Sequence, residues 1–385
     1  MKIVHYIPAI IKTDIVSDEL LSIVNVMRDY ADVRLVAGKE SISSIFGEEK
    51  PDLIHVHGCW DYHASRLIQD ASQRGIATVV STHGGFTPFT MTNEKRLEKR
   101  ARMLVYQNST IKDADAVVIS TKEELDNFEL MKIQKNTQLV PAYLLNSKVK
   151  LQEVVGILLS LYRKVIDSRY RNYLTNKEKD IIRRIVHIGC SQPDYISKST
   201  NVTAADYESL TDEQWRRLLF YAKDEHIEDI FVKGCRYEGL TIPDIDVDQI
   251  PRFDSKIEKN DGVEYAKEIA KTKSSLKHKV EQDTNTNEKA IRNIIYLIAD
   301  IKEHVRRRSV SMRHFTTLFR LLQTEDYDED KLNELLGLVN LRKPMQRILC
   351  ILHEDLYLSE GFLPIGMTND SKVQETRKLI TLCKI

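Results

Sequence analysis

The chain has no excess of either charge. Among its 385 residues Lys+Arg and Asp+Glu number 57 each, for a formal net charge of +0. A protein that holds a nucleic acid neutralises a run of phosphates with surplus Lys and Arg, so nucleic acid is not favoured as a partner. Cysteine is scarce as well. The five, at 59, 190, 235, 350 and 383, are odd in number, scattered, and form neither a C-x-x-C pair nor a zinc spacing. That argues against a disulfide framework and fits a reducing compartment. Long apolar runs are missing too. The longest, VVGILLSLY from residue 154, is far short of the roughly 20 residues that span a bilayer. MKIVHYIPAI at the N-terminus enters a strand-like run at once, without the basic start and apolar block of a signal peptide. The expectation is a cytoplasmic protein.

What is present is the grammar of a globular α/β chain. Hydrophobic residues at 42% and charged residues at 30% suffice for a sizeable core, and the length suggests more than one domain. Up to about residue 147, short apolar runs alternate with helix-like segments. The strand candidates are IVHYI (3–7), VRLVA (33–37), LIHVHG (53–58), ATVVST (77–82), AVVIS (116–120) and QLVPA (138–142). Most are β-branched and apolar on both faces, as strands of a parallel sheet covered by helices should be. Thr121 followed by Glu124 reads as a capping box. The alternation predicts a Rossmann-like, open parallel sheet with right-handed crossovers over 1–147. Residues 148–385 are predicted mostly helical, with a subdomain split near the polar stretch 277–289. One apolar stripe runs from Ile291 through Ile294, Ile295, Ile298 and Ile301 to Val305. Another comprises Leu332, Leu335, Leu336 and Val339. In this half only RRIVHIGC (183–190) looks like a strand.

Candidate function sits at the strand ends. In open parallel sheets ligands bind where strands finish and helices begin. That rule gathers Pro8 after the first strand, His57 and Gly58 after the third, and His83, Gly84 and Gly85 after the fourth. Ser120 and Thr121 follow the fifth. A histidine there can bond a sugar hydroxyl or move a proton, and glycines allow close approach to the backbone.

The stretch PDLIHVHGCWDYHASRLIQDASQRGIATVVSTHGGFTPFTMTNEKRLEKRARMLVYQNSTIKDADAVVISTKEELDNF (51–128) resembles the N-terminal domain of family 4 glycosyltransferases of the GT-B fold. The family's order of D-x-I-H-x-H, T-x-H-G, basic helix and A-D-x-V-x-x-x-S carries the resemblance, met here by DLIHVH (52–57), STHG (81–84), the basic run after 93 and ADAVVIST (114–121). It implies that His83 faces the transferring sugar with Gly84 beside it, and that this domain mainly holds the acceptor. It further implies a nucleotide-sugar donor, retention at the anomeric carbon, a glycan or lipid-linked acceptor in surface polysaccharide or glycoconjugate synthesis, and no cofactor. Two family features are missing: glycines in the loop after the first strand, here PAIIKTDIVSDELL, and a pair of glutamates eight positions apart in the C-terminal half. Those gaps keep open a second reading, a non-catalytic relative whose helical half binds a partner protein.

Three further patterns have competing readings. His55 and His57 share a strand face and could hold a metal, but that needs more His or Asp at other strand ends, and none is apparent; no metal is expected. Lys95, Arg96, Lys99 and Arg100 form a basic helix that either is a solvated face or meets an anionic membrane or lipid-linked acceptor, which would make the protein peripheral to the inner membrane face. HVRRRSVSMRH (304–314) could contact phosphate, though no helix-turn-helix pattern surrounds it. DIDVD (244–248) reads as a surface loop.

Overall fold

The computed structural model describes residues 1–38, 40, 44–45, 50–93, 95–131, 136–196, 202–247, 274–283 and 288–381. The chain divides into two compact units, one built on Met1–Asn172 and the other on the residues from Tyr173 onward.

The first unit is a six-stranded, all-parallel sheet. Its elements are β1 (Lys2–Ile7), α1 (Ile15–Met27), β2 (Asp32–Ala37), β3 (Leu53–His57), α2 (Tyr62–Gln73) and β4 (Ala77–Ser81). After these come α3 (Pro88–Asn93), α4 (Arg96–Arg102), a π-helical turn (Met103–Gln107), α5 (Asn108–Asp113), β5 (Ala116–Ile119), α6 (Lys122–Met131), β6 (Thr137–Leu139) and α7 (Leu151–Ser168). The strand order is β2-β1-β3-β4-β5-β6. The chain steps from β1 to β2 on one side and then returns past β1 to β3, so the switch of winding lies between β1 and β3, the place where such sheets bind ligands.

Side-chain alternation sorts the two faces. Ile3, Ile7, Leu53, Val79 and Val118 look toward Leu20, Ile23 and Val24 of α1 and Val154, Leu158, Tyr162 and Val165 of α7. Val4, Tyr6, Ile54, Val56 and Val80 look toward Ala64, Leu67 and Ile68 of α2 and Phe128 of α6. Helix α7 lies beyond residue 147, yet it completes the first face. Two motif aspartates serve the opposite end of the sheet from the strand termini. Asp52 accepts from the Lys2 amide at 2.8 Å. Asp115 accepts from the Thr78 amide at 2.8 Å and pairs with Arg169 at 2.8 Å.

The second unit is helical throughout its described elements: α8 (Asn176–Cys190), α9 (Ala204–Glu208), α10 (Asp212–Asp224), α11 (Glu228–Tyr237), α12 (Ser274–Asp283), α13 (Lys289–Arg307), α14 (Met312–Thr324), α15 (Glu329–Leu338), α16 (Arg342–Leu356) and α17 (Ser371–Leu379). Both expected apolar stripes face its core, on α13 and α15, except at their last residues: Val305 and Val339 are only half-buried, and Val339 follows the end of α15. Trp215, Leu218, Leu219 and Ala222 follow the helical spacing of a buried face; Trp215, Leu218 and Ala222 are buried on α10, which packs on α11, while Leu219 is only half-buried.

RRIVHIGC is not a strand. It is the C-terminal half of α8, which opens on a complete capping box between Thr175 and Glu178. Every residue from Ile181 to Cys190 is buried, the polar Arg183, Arg184 and His187 included, so the segment has no exposed face to set a 3.6-residue period against its β-branched residues. Glycines let α8 and α11 touch backbone to backbone: a Cβ at Gly189 would lie 2.0 Å from the Ile230 carbonyl oxygen, and one at Gly234 would lie 2.1 Å from that of Ile185.

The basic run at 304–314 is largely matched by acids. Glu303 pairs with Arg306 at 2.5 Å and with Arg307 at 2.8 Å, and Arg313 pairs with Asp229 at 2.8 Å. Asp244 and Asp246 are exposed in an irregular segment, as a surface loop requires; Asp248 lies outside the described residues.

Candidate active site

At the carboxyl ends of the strands, on the α1/α7 side, a small, partly open recess is lined by Glu19, His55, His57, Ser81, His83 and Ser120, with walls that include Leu20, Val118, Val140 and Leu158. Parallel pairing brings these groups together. His5 stands opposite His55 across β1 and β3, and His57 opposite Ser81 across β3 and β4. All four point to the same face by alternation.

Three of the four imidazoles are bonded in a row, and the fourth, His55, bonds two hydroxyls instead. His83 Nε2 lies 3.1 Å from His57 Nδ1, and His57 Nε2 lies 2.8 Å from His5 Nδ1. His55 Nε2 lies 2.8 Å from Ser81 Oγ, and His55 Nδ1 lies 2.5 Å from the Tyr162 hydroxyl. Burial pushes His5 down to about 3 and His83 down to about 4. Burial, joined by the neighbouring imidazoles, holds His55 and His57 well below the usual histidine range. At neutral pH the cluster is uncharged and works by hydrogen bonds.

The ring nitrogens decide whether it can hold a metal. His5, His55 and His57 bring ligand atoms within 4.8 Å of one another. As bonded, however, His55 and His57 use both nitrogens, and only His5 Nε2 has no partner. One open nitrogen is fewer than the three protein ligands of a catalytic zinc site. In the helical unit Asp300, His304 and His314 form a similar group. There the Ser311 amide donates to His314 Nδ1 at 3.1 Å, which leaves the ring proton on Nε2, 3.8 Å from Asp300. A protonated Nε2 is not a ligand.

The turn after β4 is held from within. His83 takes a left-handed φ of +46°, and Gly84 follows at +77°. A non-glycine residue there is strained by about 1–3 kcal/mol and persists only when its surroundings fix it. Glu124, wholly buried on α6, accepts from the Gly84 amide at 3.1 Å and from the Phe86 amide at 3.0 Å. The expected capping box is therefore half formed: Thr121 Oγ1 accepts from the Glu124 amide at 3.2 Å, but the Glu124 carboxylate is taken up by the turn. Gly85 has an internal reason to be glycine, since a Cβ would lie 1.9 Å from Cys59 Sγ.

The other expected residues are dispersed. Ser120 borders the recess, while Thr121 is exposed at the start of α6. Pro8 is half-buried and outside the lining. Gly58, with φ +101°, donates to the Ser81 carbonyl at 2.8 Å. Lys95 precedes α4, and Arg96 and Arg100 on it are exposed. Lys99 turns back to donate to the Thr90 carbonyl at 2.7 Å and lies 5.9 Å from the Trp60 ring. Around them Phe89, Leu97, Leu104 and Val105 are also exposed. His5, Glu19, Ser81, Glu124 and Tyr162 escape a reading by strand ends alone. The one available sign was His5 in an apolar strand, in step with Ile3 and Ile7 on the buried face.

Residues 24–142 match the family model of a glycosyl transferase 4-like domain. With the parallel sheet this makes the first unit a Rossmann-like N-terminal domain of the glycosyltransferase 4 type. No curated protein and no solved structure matches the chain. The matched stretch supplies His55, His57, Ser81, His83, Ser120 and Glu124. His5, Glu19 and Tyr162 come from outside it, as does the whole helical unit. Among the described residues no helix is long and apolar enough to cross a membrane.

Proposed function

We propose that this protein is a glycosyltransferase that moves a sugar from a nucleotide-sugar donor to an acceptor hydroxyl in surface polysaccharide or glycoconjugate synthesis, with retention at the anomeric carbon. The observation that carries the reading is the recess of neutral imidazoles and serine hydroxyls at the carboxyl ends of the parallel strands of a glycosyl transferase 4-like domain. His83 contacts the transferring sugar, and Gly84 leaves room beside it. Because its imidazole is neutral at working pH, His83 acts by hydrogen bonding and not by charge. His57, Ser120 and the strand ends at Pro8, Gly58 and Thr121 border the acceptor side. Neither metal nor cofactor enters this reading. Lys95, Arg96 and Arg100, with Leu97 and Leu104 between them, give a cytoplasmic enzyme a basic and apolar face for an anionic membrane or a lipid-linked acceptor.

A second reading has its own support. The loop after β1 has no glycine to let a diphosphate approach its backbone closely, and the amides of Gly84 and Phe86 in the β4 turn are filled by Glu124. A non-catalytic relative that binds a partner protein fits those two facts. Calorimetric titration with UDP, GDP, ADP and their sugar conjugates separates the readings. Micromolar binding of one nucleotide sugar, lost in His83→Ala, supports the transferase. No heat across the panel overturns it and favours the partner-binding protein.

A further inference from the structure

Among the polar groups of the recess, Ser81 has the most constrained partners. Its hydroxyl lies 2.8 Å from His55 Nε2, and His55 Nδ1 lies 2.5 Å from the hydroxyl of Tyr162. All three residues are buried: Ser81 is 3% exposed, and His55 and Tyr162 are 0% exposed. Serine, imidazole and a third group in line resemble a hydrolytic triad, but the third group is a phenol, and that reverses the chemistry.

The direction of each bond follows from where hydrogens can go. Burial holds the Tyr162 phenol well above its ordinary range, so it keeps its proton. His55 is its one hydrogen-bond partner among the described residues. Were the phenol to accept from Nδ1–H, its own hydrogen would be stranded in an apolar core between the sheet and α7, where an unmet donor costs about 1–3 kcal/mol. The phenol therefore donates to Nδ1. A neutral imidazole has a single N–H, so that hydrogen sits on Nε2 and is donated to Ser81 Oγ. The serine oxygen accepts from the ring, and its own hydrogen is left for the recess that Ser81 lines.

We infer that Tyr162, His55 and Ser81 form a one-way hydrogen-bond relay that presents the Ser81 hydroxyl as a donor to an oxygen of the bound ligand. A nucleophilic serine needs the opposite arrangement, an Nε2 lone pair to take its proton. Ser81 is thus a binding residue, and His55 and Tyr162 are positioning residues. The carboxyl of Glu19 lines the same recess and disfavours a phosphate there, so the oxygen is a hydroxyl, ring or carbonyl oxygen. That this oxygen belongs to a sugar rests on the transferase reading; the direction of the relay does not.

Two measurements test the relay without any turnover. In the full chain labelled with 15N-histidine and assigned with His55→Asn, long-range 1H–15N spectra at neutral pH should show His55 protonated at Nε2, with Nδ1 a bonded acceptor. In Tyr162→Phe the Nδ1 signal should move toward that of an unbonded ring nitrogen, a change that a purely packing role for the phenol would not cause. A His55 ring protonated at Nδ1 overturns the relay, and the wild-type spectrum decides this even if the variant fails to fold. Incubation with a fluorophosphonate should leave Ser81 unmodified; an adduct at Ser81 by peptide mass spectrometry makes it a nucleophile and also overturns the relay. The ligand's side is read in the nucleotide-sugar titration, where Ser81→Ala should weaken binding about tenfold. Unchanged affinity in Ser81→Ala for a sugar that His83→Ala no longer binds would remove the donor role while leaving the transferase reading intact.

Discussion

The two units bury polar groups in different ways. The sheet unit buries four neutral imidazoles, three of them bonded in a row that ends at a recess. The helical unit buries charges in closed sets: Asp355 lies between Arg183 at 3.5 Å and Arg377 at 2.6 Å, and Glu178 meets Arg217 at 2.8 Å. A closed ion-pair set satisfies itself and has little left to offer a ligand. A file of neutral rings with one end at an open recess keeps donors and acceptors available. On the transferase reading proposed above, the chemistry falls to the sheet unit.

The largest way to sharpen the comparison is acid. The imidazoles of His5 and His83 sit at about 3 and about 4, and those of His55 and His57 are also lowered, while among the described histidines of the helical unit a lowered value, about 4, belongs to His187. A depressed histidine is neutral when folded, whereas the unfolded chain takes up protons from about pH 6.5 downward. Stability is therefore complete above about pH 6.5 and falls as the pH drops through about 4 toward 3. Each tenfold loss of proton affinity on folding is worth about 1.4 kcal/mol, so the sheet unit should lose several kcal/mol over that window and the helical unit less. The chain has two tryptophans, Trp60 in the sheet unit and Trp215 in the helical unit. Denaturation of Trp60→Phe and Trp215→Phe followed by fluorescence therefore reads each unit separately. Equal acid losses in both would break the comparison.

A second contrast lies in the glycines. Gly189→Ala drives a Cβ to 2.0 Å from a backbone oxygen, which α8 and α11 can relieve only by moving apart, at a cost of about 3 kcal/mol or more to the helical unit. Gly85→Ala meets the Cys59 thiol at 1.9 Å, a side chain that can be trimmed. It should destabilise the sheet unit by about 1–3 kcal/mol, and Cys59→Ala should recover much of that loss. Recovery measured by a double-mutant denaturation cycle assigns Gly85 to internal packing; no recovery returns it to the ligand's side.

Much of the sheet was legible because each strand carries its own signal, apolar on both faces and bounded by polar turns. The ends of those strands could be placed from the sequence as well. What was hidden is register. His5 and His55 are far apart in sequence, and nothing local says that β1 pairs with β3 so as to set them side by side. Tyr162 was hidden behind the expected boundary at 147, since a helix that covers a sheet reads like any other amphipathic helix. Glu124 was legible as a helix cap and misassigned in part: the same carboxylate that could have returned to Thr121 is drawn to two amides brought by β4. RRIVHIGC failed for the opposite reason. Arg183, Arg184 and His187 are buried along with the apolar residues, so no exposed polar face marks the helix.

Glu124 offers a finer test. Its two oxygens accept two amides that hold His83 in its left-handed turn, and Glu124→Gln replaces one oxygen by an NH2 group that faces an N–H. That should cost about 1–3 kcal/mol and loosen the turn while leaving the helical unit's Trp215 transition unchanged. Hydrogen exchange at Gly84 and Phe86 would show it. Unchanged protection at both amides would mean that the β4 turn holds itself.

The smallest expected effect on stability concerns the basic face. Arg96 and Arg100 are exposed, so reversing both to glutamate should shift unfolding by less than about 0.5 kcal/mol. The consequence for a lipid surface is different in kind. A Lys or Arg near an anionic membrane contributes about 1 kcal/mol each, and the apolar contact would come from Leu97 and Leu104, 80% and 88% exposed. Sedimentation with phosphatidylserine vesicles should therefore show wild-type binding that falls at least roughly tenfold in Arg96→Glu/Arg100→Glu, and falls further with Leu97→Ser. If wild type and variant sediment alike, α4 is a solvated face and the sheet unit meets its acceptor in solution.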